Sequence, residues 1–402
     1  MKKCTCKELN YKFTGRFLVW FQLVFTFASF VTGQVTVPGV VVGHSHPETG
    51  IYLGSPSIII LNDGTYLSSY QEFGRGTPDT HINYIAASTD RGKTWEEVST
   101  IEGLYWANLF TFGGELYLLG MQAQNRGGYG PLVIRKSTDQ GRTWTEPVDE
   151  EHGLLRSDEE YHTAPVPMII HNGRIFRAVE DRNPPEEWGV NFRSLVISAP
   201  LDADLMKAAS WTTSNRLRYH PEWPGRAWLE GNLVVTPEGD IVNILRNDYS
   251  PDGGRACVVR VSEYGDRVSF DPEKGFIDFP GGCKKFTIRF DAVSNRYWSL
   301  TNYIPEEFMG ENPERTRNTL ALVSSQDLLN WEVDRIVLQH PDVTYVGFQY
   351  ADWRFDGDDL VALIRTAFPE PDGTNAHNCH DSNYIIFYRV EDFRDNPMKK
   401  RP

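Results

Sequence analysis

"STDRGKTW" occupies residues 88–95, and "STDQGRTW" occupies residues 137–144. Each copy follows an apolar, β-prone run, "INYIAA" before Ser88 and "LVIRK" before Ser137. A strand, a Ser-x-Asp turn, a Gly and then a Trp read as the corner of a β-hairpin. The Asp carboxylate can bond the turn's own backbone, Gly supplies a positive φ, and Trp plugs the corner into a core. The phrase is therefore architecture, and Trp95 and Trp144 are expected at outer corners of the fold.

Weaker echoes follow. "LVISAPLD" places Ser198, "VVRVSEYGD" places Ser262, "LALVSSQDLLNW" places Ser325, and "YIIFYRVED" ends the series near Arg389. A second series of apolar runs interleaves with it, turning at Gly64, Gly114, Gly173, Gly239, Asn295 and Gly357. Each turn is rich in Gly, Asn or Asp, the chemistry of a tight hairpin. Six hairpins thus alternate with six further strands at a pitch of roughly 50–66 residues, the spacing of a repeated small sheet. No long helical pattern competes after residue 34. A β-sandwich with chance likeness between corners does not explain a sixfold recurrence. The expected fold is all-β: one six-bladed β-propeller of four-stranded antiparallel blades over residues 40–392, followed by a loose tail over 393–402.

The N-terminus reads as an address. Lys2, Lys3, Lys7, Lys12 and Arg16 precede the apolar run "FLVWFQLVFTFASFVTG", which ends at Gly33. This is the order of a secretory signal peptide. The run contains Gln22 and falls short of the ~20 apolar residues of a spanning helix. Residues 1–33 are therefore expected to be cleaved near Gly33, leaving a secreted or periplasmic protein with no membrane span. Cys4 and Cys6 leave with the signal. Cys257, Cys283 and Cys379 remain, which allows one disulfide and does not match zinc-site spacing.

The chain of 402 residues carries a formal net charge of −14, which argues against a nucleic-acid partner. An anionic ligand would need a local cluster of Arg set against that global field.

"STDRGKTW" and "STDQGRTW" resemble the Asp boxes of the sialidase superfamily, and further elements match in order along the whole propeller. "EGNLVVTPEGDIVNILRN" is similar to the family's Glu-then-Arg stretch and offers Glu230 and Arg246. "RNTLALVSSQDLLNW" offers Arg317, "FQYADWRFDGDDLVALIR" offers Tyr350, and "YQEFGRGTPDTHINYIAAS" offers Arg75 and Asp79. The resemblance implies a retaining glycosidase that uses a Tyr nucleophile. A sialic-acid-type sugar bears a carboxylate on its anomeric carbon, which would repel a carboxylate nucleophile. A phenol that loses its proton to a neighbouring Glu avoids that repulsion. Tyr350 would attack, Glu230 would take its proton, and Asp79 would protonate the leaving oxygen and later activate water. Arg246 and Arg317 would hold the sugar carboxylate by charge-assisted bonds, and Arg75 would be a further substrate-binding residue. No metal and no cofactor is implied.

One departure matters. The family's first carboxylate-binding Arg lies in a Tyr-Arg-Ile-Pro-like motif, and this chain reads "YLGSPSI" at 52–58. Pro56 aligns, but no Arg is present. Arg177, Arg289 and Arg365 are the alternative cations. Three His-bearing stretches stand outside the pattern: "GHSHPETG" with His44 and His46, "EEYHTAPVP" with Glu160, Tyr161 and His162, and "NAHNCHDSN" with His377, His380 and Asp381. Their His suit sugar contacts or acid–base work better than metal. Trp106, Asn108, Trp228 and Trp298 are of the types that stack on or orient a sugar.

The expected function is a secreted, sialidase-like retaining exo-glycosidase. It would remove a terminal acidic sugar, sialic acid or a related 2-keto-3-deoxy sugar, from a glycan or acidic oligosaccharide. Two other readings stay open: a carbohydrate-binding propeller that has lost catalysis, which the missing Arg favours, and a propeller polysaccharide lyase using His and Tyr.

Overall fold

The computed structural model describes residues 36–78, 80–123, 127–182 and 187–395. The signal-peptide segment, Asp79 and the tail beyond Asp395 lie outside the described residues. The described chain is all-β apart from four short 3-10 turns, and its strands pair antiparallel throughout.

All six expected hairpins form. Ile60 faces Tyr66 across the first turn, and Phe112 faces Glu115 across Gly113-Gly114. His171 faces Arg174, Val235 faces Ile241, Asp291 faces Arg296, and Asp356 faces Asp359. The His171–Arg174 turn consists of Asn172 and Gly173, at φ 45° and 72°. Positive φ at both central residues is the geometry that matches the twist of paired strands.

The repeated phrase builds one turn twice. Ser88 Oγ donates to Asp90 Oδ1 (2.8 Å) and accepts from Gly92 N (2.8 Å), while Asp90 Oδ1 accepts from Thr94 N (2.9 Å). Ser137, Asp139, Gly141 and Thr143 repeat the pattern, with all three bonds at 2.9 Å. Ser325 and Asp327 form a third version in which Leu328, at φ 66°, takes the glycine's place. The half-buried Trp95 and Trp144 lie at these corners. Trp95 packs on Phe387 of the sheet next door, and Trp144 Nε1 donates to Gly141 O (3.0 Å). Gly92 sits at φ 87°, where a Cβ would meet the Phe387 ring at 2.3 Å, so this corner requires glycine.

The sheets form a β-propeller with blades of four antiparallel strands. Four sheets stand apart: Tyr52–Ile60 to Glu96–Glu102, Ala227–Val235 to Phe276–Asp278, Thr287–Asp291 to Trp331–Gln339, and Gly347–Asp356 to Tyr384–Val390. The last of these is completed on its outer edge by the N-terminal strand Val40–His44, in register Val40↔Phe387 and His44↔Tyr384. The expectation of six separate blades needs correction. Between residues 104 and 218 lies one nine-stranded sheet, because Leu154–His162 pairs with Gly130–Ser137 on one side and with Arg174–Arg182 on the other.

Apolar burial lies between neighbouring sheets. Ile59, Leu67 and Ile85 pack on Leu104, Leu109 and Leu118, and Trp298, Leu300 and Leu322 pack on Phe348, Trp353 and Leu360. Each fully buried side chain of this size contributes about 1.5–3 kcal/mol. Near the axis the ties are polar. Ile58 N donates to Asp352 Oδ2 (2.9 Å), Leu109 N to Ser57 Oγ (3.1 Å), and Ile288 N to Asn232 Oδ1 (3.0 Å). At these three junctions one register position of an inner strand clips its blade to the next. Cys257, Cys283 and Cys379 are buried free thiols, so the disulfide that the cysteine count allowed is not formed.

Candidate active site

Four inner strands lose register at the same place, one step before those clips. The breaks fall between Gly54 and Ser57, Tyr105 and Asn108, Leu229 and Asn232, and Gln349 and Asp352. Inside each break one non-glycine residue has positive φ: Ser55 (49°), Trp106 (50°), Glu230 (59°) and Tyr350 (53°). Such residues are uncommon and strained, and bulges of this kind re-aim a side chain. Small residues follow each one (Pro56, Ala107, Gly231, Ala351). At Gly231 a Cβ would lie 2.2 Å from Asn243 Oδ1, so any larger residue must displace the buried Asn243 side chain.

Two of these positions meet across the ring. Arg246, on strand Ile241–Asp248, donates from Nη1 to Glu230 Oε2 (3.1 Å) and to the Tyr350 hydroxyl (3.3 Å). Its Nη2 donates to Asp248 Oδ1 and Glu314 Oε2, both at 2.8 Å, and its Nε to Cys283 O (2.6 Å). Glu230, Arg246 and Arg317 are all buried, at 3–4% exposure. Arg317 donates from Nε to Glu314 O (2.9 Å) and from Nη1 to Gln349 Oε1 (2.7 Å). The guanidinium carbons of Arg365 and Arg317 lie 4.8 and 5.8 Å from the Tyr350 ring centroid.

The electrostatics follow from that packing. Burial raises the Tyr350 phenol pKa and the Glu230 carboxylate adds to the rise, while Arg246, Arg317 and Arg365 oppose it. Burial also works against the Glu314 carboxylate, but Arg246, Arg317 and Lys284 hold it below the usual range. Burial, then the Arg365 guanidinium, push the His380 imidazole down to about 3.

Of the residues the sequence singled out, Tyr350, Glu230, Arg246 and Arg317 come together. Arg75 stays exposed in the turn after Phe73, where its charge reaches Tyr52. Asp79 is outside the described residues. Trp228 and Trp298 are buried in the cores between blades, and Asn108 is buried against Ser57, so these three are structural. Trp106 is half-buried and joins an aromatic wall with Tyr129 (5.5 Å) and His162 (4.4 Å). His162 Nδ1 lies 3.1 Å from Glu180 Oε2, and Glu180 Oε1 accepts from Gly231 N (3.2 Å). His44 pairs with Glu370, while His377 and His380 both pair with Asp381.

Sequence reasoning missed Asp248, Glu314, Gln349 and Glu180. Asp248 had a signal, because a residue two positions after Arg246 on one strand shares its face. Gln349 had only its place beside Tyr350. Glu314 comes from the turn after Asn312 and had none.

This arrangement sits in a β-propeller. No family model matches the chain, and no curated protein matches it. Among solved structures, it is similar to Penicillium chrysogenum α-L-arabinanase complexed with arabinobiose (14% identity, 89% of this chain and 98% of that chain, TM-score 0.54). It is also similar to an α-L-arabinofuranosidase of Fusarium graminearum in complex with an iminosugar inhibitor (13% identity, 88% and 96%, TM-score 0.54). Trypanosoma rangeli sialidase is a third (13% identity, TM-score 0.55), with 87% of this chain matched to 55% of that one. At these identities the likeness is one of fold.

Proposed function

We propose that the chain is a secreted retaining exo-glycosidase that removes a terminal anionic sugar from a glycan. The observation that carries this reading is the buried unit in which one nitrogen of Arg246 bonds both the Tyr350 hydroxyl and the Glu230 carboxylate. In the first half-reaction the Tyr350 oxygen attacks the anomeric carbon as the bond to the leaving oxygen breaks. The phenol proton passes to Glu230, and a proton from Asp79 goes to the leaving oxygen. In the second half-reaction Asp79 takes a proton from water, the water oxygen displaces Tyr350, and Glu230 returns its proton to the phenolate. Arg246 lies against both partners and stabilises the phenolate as it forms and departs. Within the same reading the nine-stranded sheet is two blades fused at Leu154–His162, which makes six in all. The corner turns are Asp boxes, and residues 1–33 are the secretion signal.

A second reading rests on Glu180. Its carboxylate accepts from the backbone of the residue after Glu230, so two buried carboxylates adjoin the same strand break. Two of the similar structures are named as an α-L-arabinanase and an α-L-arabinofuranosidase. Under this reading Glu230 attacks a neutral furanoside and Tyr350 serves as a positioning residue.

Trapping with a fluorinated sugar decides between them. A fluorinated 2-keto sugar that leaves a covalent adduct on Tyr350, found by mass spectrometry of tryptic peptides, supports the first. An adduct on Glu230 from a 2-fluoro-arabinofuranoside supports the second.

A further inference from the structure

We infer that the anion clamp of this site is Arg317 with Arg365, both close to the Tyr350 ring, and that Arg246 takes no part in holding the sugar's carboxylate. This rests on the anionic-sugar reading above and names the residues that would give the site that specificity.

The donors themselves make the argument. A guanidinium has five N–H donors. Those of Arg246 go to Cys283 O, Glu230, Tyr350, Asp248 and Glu314, so all five are taken within the protein. Three carboxylates also neutralise it. A substrate carboxylate arriving at Arg246 would have to displace one of them.

Arg317 and Arg365 differ. Arg317 uses Nε and one Nη1 donor, and its Nη2 lies 4.0 Å from Glu314 Oε2, beyond hydrogen-bond reach. Among the described residues Arg365 hydrogen-bonds from Nη2 alone, to His380 O (2.6 Å) and the His380 ring. Its Nε is buried and has no partner among the described residues, and the whole side chain is only 5% exposed. A buried, unpaired guanidinium nitrogen is costly unless something fills it, and a bound anion is the natural partner.

Arg365 also stands where the missing cation was expected. It comes from strand Asp359–Ala367 and reaches the inner strand of the first blade, where "YLGSPSI" has no Arg. A Cβ on Gly54 would lie 3.4 Å from its Nη1. Its guanidinium packs on the Phe73 ring (4.4 Å) as well as on Tyr350 (4.8 Å), which fixes its plane. The other two candidates are committed elsewhere. Arg177 is fully buried with its Nη nitrogens on Ala178 O, Thr163 and Ala164 O; its Nε also lacks a partner among the described residues, but unlike Arg365 it is not packed on the Tyr350 ring, while Arg289 bonds Trp353 O and Asp352. The two guanidinium carbons, 5.8 and 4.8 Å from the Tyr350 ring centroid, would hold a carboxylate beside the phenol that attacks the carbon bearing it.

The test is binding by calorimetry of two sugar acids, N-acetylneuraminic acid and 3-deoxy-D-manno-oct-2-ulosonic acid, each beside its methyl ester. The proteins are the mature chain, Arg365→Gln, Arg365→Lys and Arg317→Gln. The expected result is a preference for acid over ester of at least about tenfold in the unmutated protein. Arg365→Gln and Arg317→Gln should abolish that preference, and Arg365→Lys should leave part of it. Arg365→Lys keeps the buried charge, so it serves if Arg365→Gln does not fold. An unmutated protein that prefers an acid, with the preference intact in Arg365→Gln or undiminished in Arg365→Lys, overturns the clamp and leaves the glycosidase reading standing. Equal binding of acid and ester by the unmutated protein overturns the anionic-sugar reading and the clamp together.

Discussion

Tyr350 and Glu230 sit in the same strained slot of two different blades and are joined through a single nitrogen, Arg246 Nη1, at 3.3 and 3.1 Å. The guanidinium donates to the phenol oxygen, so it favours the charged form that a nucleophile needs. Burial and Glu230 hold the proton on until substrate arrives.

Tyr350→Phe keeps the ring and its packing against Arg365 and removes the attacking oxygen. Turnover of an acidic glycoside should fall by at least about a thousandfold with the melting temperature within a few degrees of the parent. Steady-state kinetics and calorimetry check this, and full activity in Tyr350→Phe rules the nucleophile out.

Asp90→Ala removes bonds to the Thr94 backbone and hydroxyl at a corner. The melting temperature should drop by a few degrees while kcat at 25 °C stays unchanged. A large loss of kcat in the folded variant would show that this corner takes part in chemistry.

Gly43→Val tests ring closure. A Cβ at Gly43 would lie 2.6 Å from the Tyr70 ring, so either that buried ring or the N-terminal strand paired with Tyr384–Val390 must give way. The expected cost is about 1–3 kcal/mol, read from urea unfolding. A neutral result would mean that the strand is not held in this register.

The acid sensitivity has a defined sign at His380. Its imidazole is held down to about 3 in the fold, while an unfolded His takes a proton near ~6.5. Between those values the unfolded chain binds a proton that the folded chain does not. The stabilisation is therefore complete at pH 7 and shrinks as the pH falls from ~6.5 towards 3. His380→Gln should make the fall in melting temperature between pH 7 and pH 4 shallower than in the parent. An identical slope would remove His380 from the account.

The hairpins and corners were legible because their chemistry is local. Asn172-Gly173 and Ser88-x-Asp90 specify their turns within a few residues of chain. The joining of the expected second and third blades was not legible, because it depends on Leu154–His162 pairing on both edges, and nothing in that stretch's own pattern sets whether one edge or both are paired. The site divides the same way. Glu230, Arg246, Arg317 and Tyr350 each lie in a stretch with recognisable order. Glu314, which holds Arg246 and flanks Arg317, comes from an irregular turn with no periodicity to read. Arg365 looked like one cation among several, and only the distances to Gly54, Phe73 and Tyr350 set it apart from Arg177 and Arg289.

The four register breaks carry a consequence for how such a molecule changes its trade. Ser55, Trp106, Glu230 and Tyr350 occupy one socket repeated around the ring, and after three of them the clip two residues later belongs to a different side chain, Ser57, Asn232 or Asp352. What fills a socket is thereby uncoupled from what holds the blades together. A hydroxyl, an indole, a carboxylate and a phenol already share this geometry within a single chain. One codon change at a socket can swap the reactive group while the ring keeps its shape, so new chemistry can be sampled without first rebuilding the scaffold.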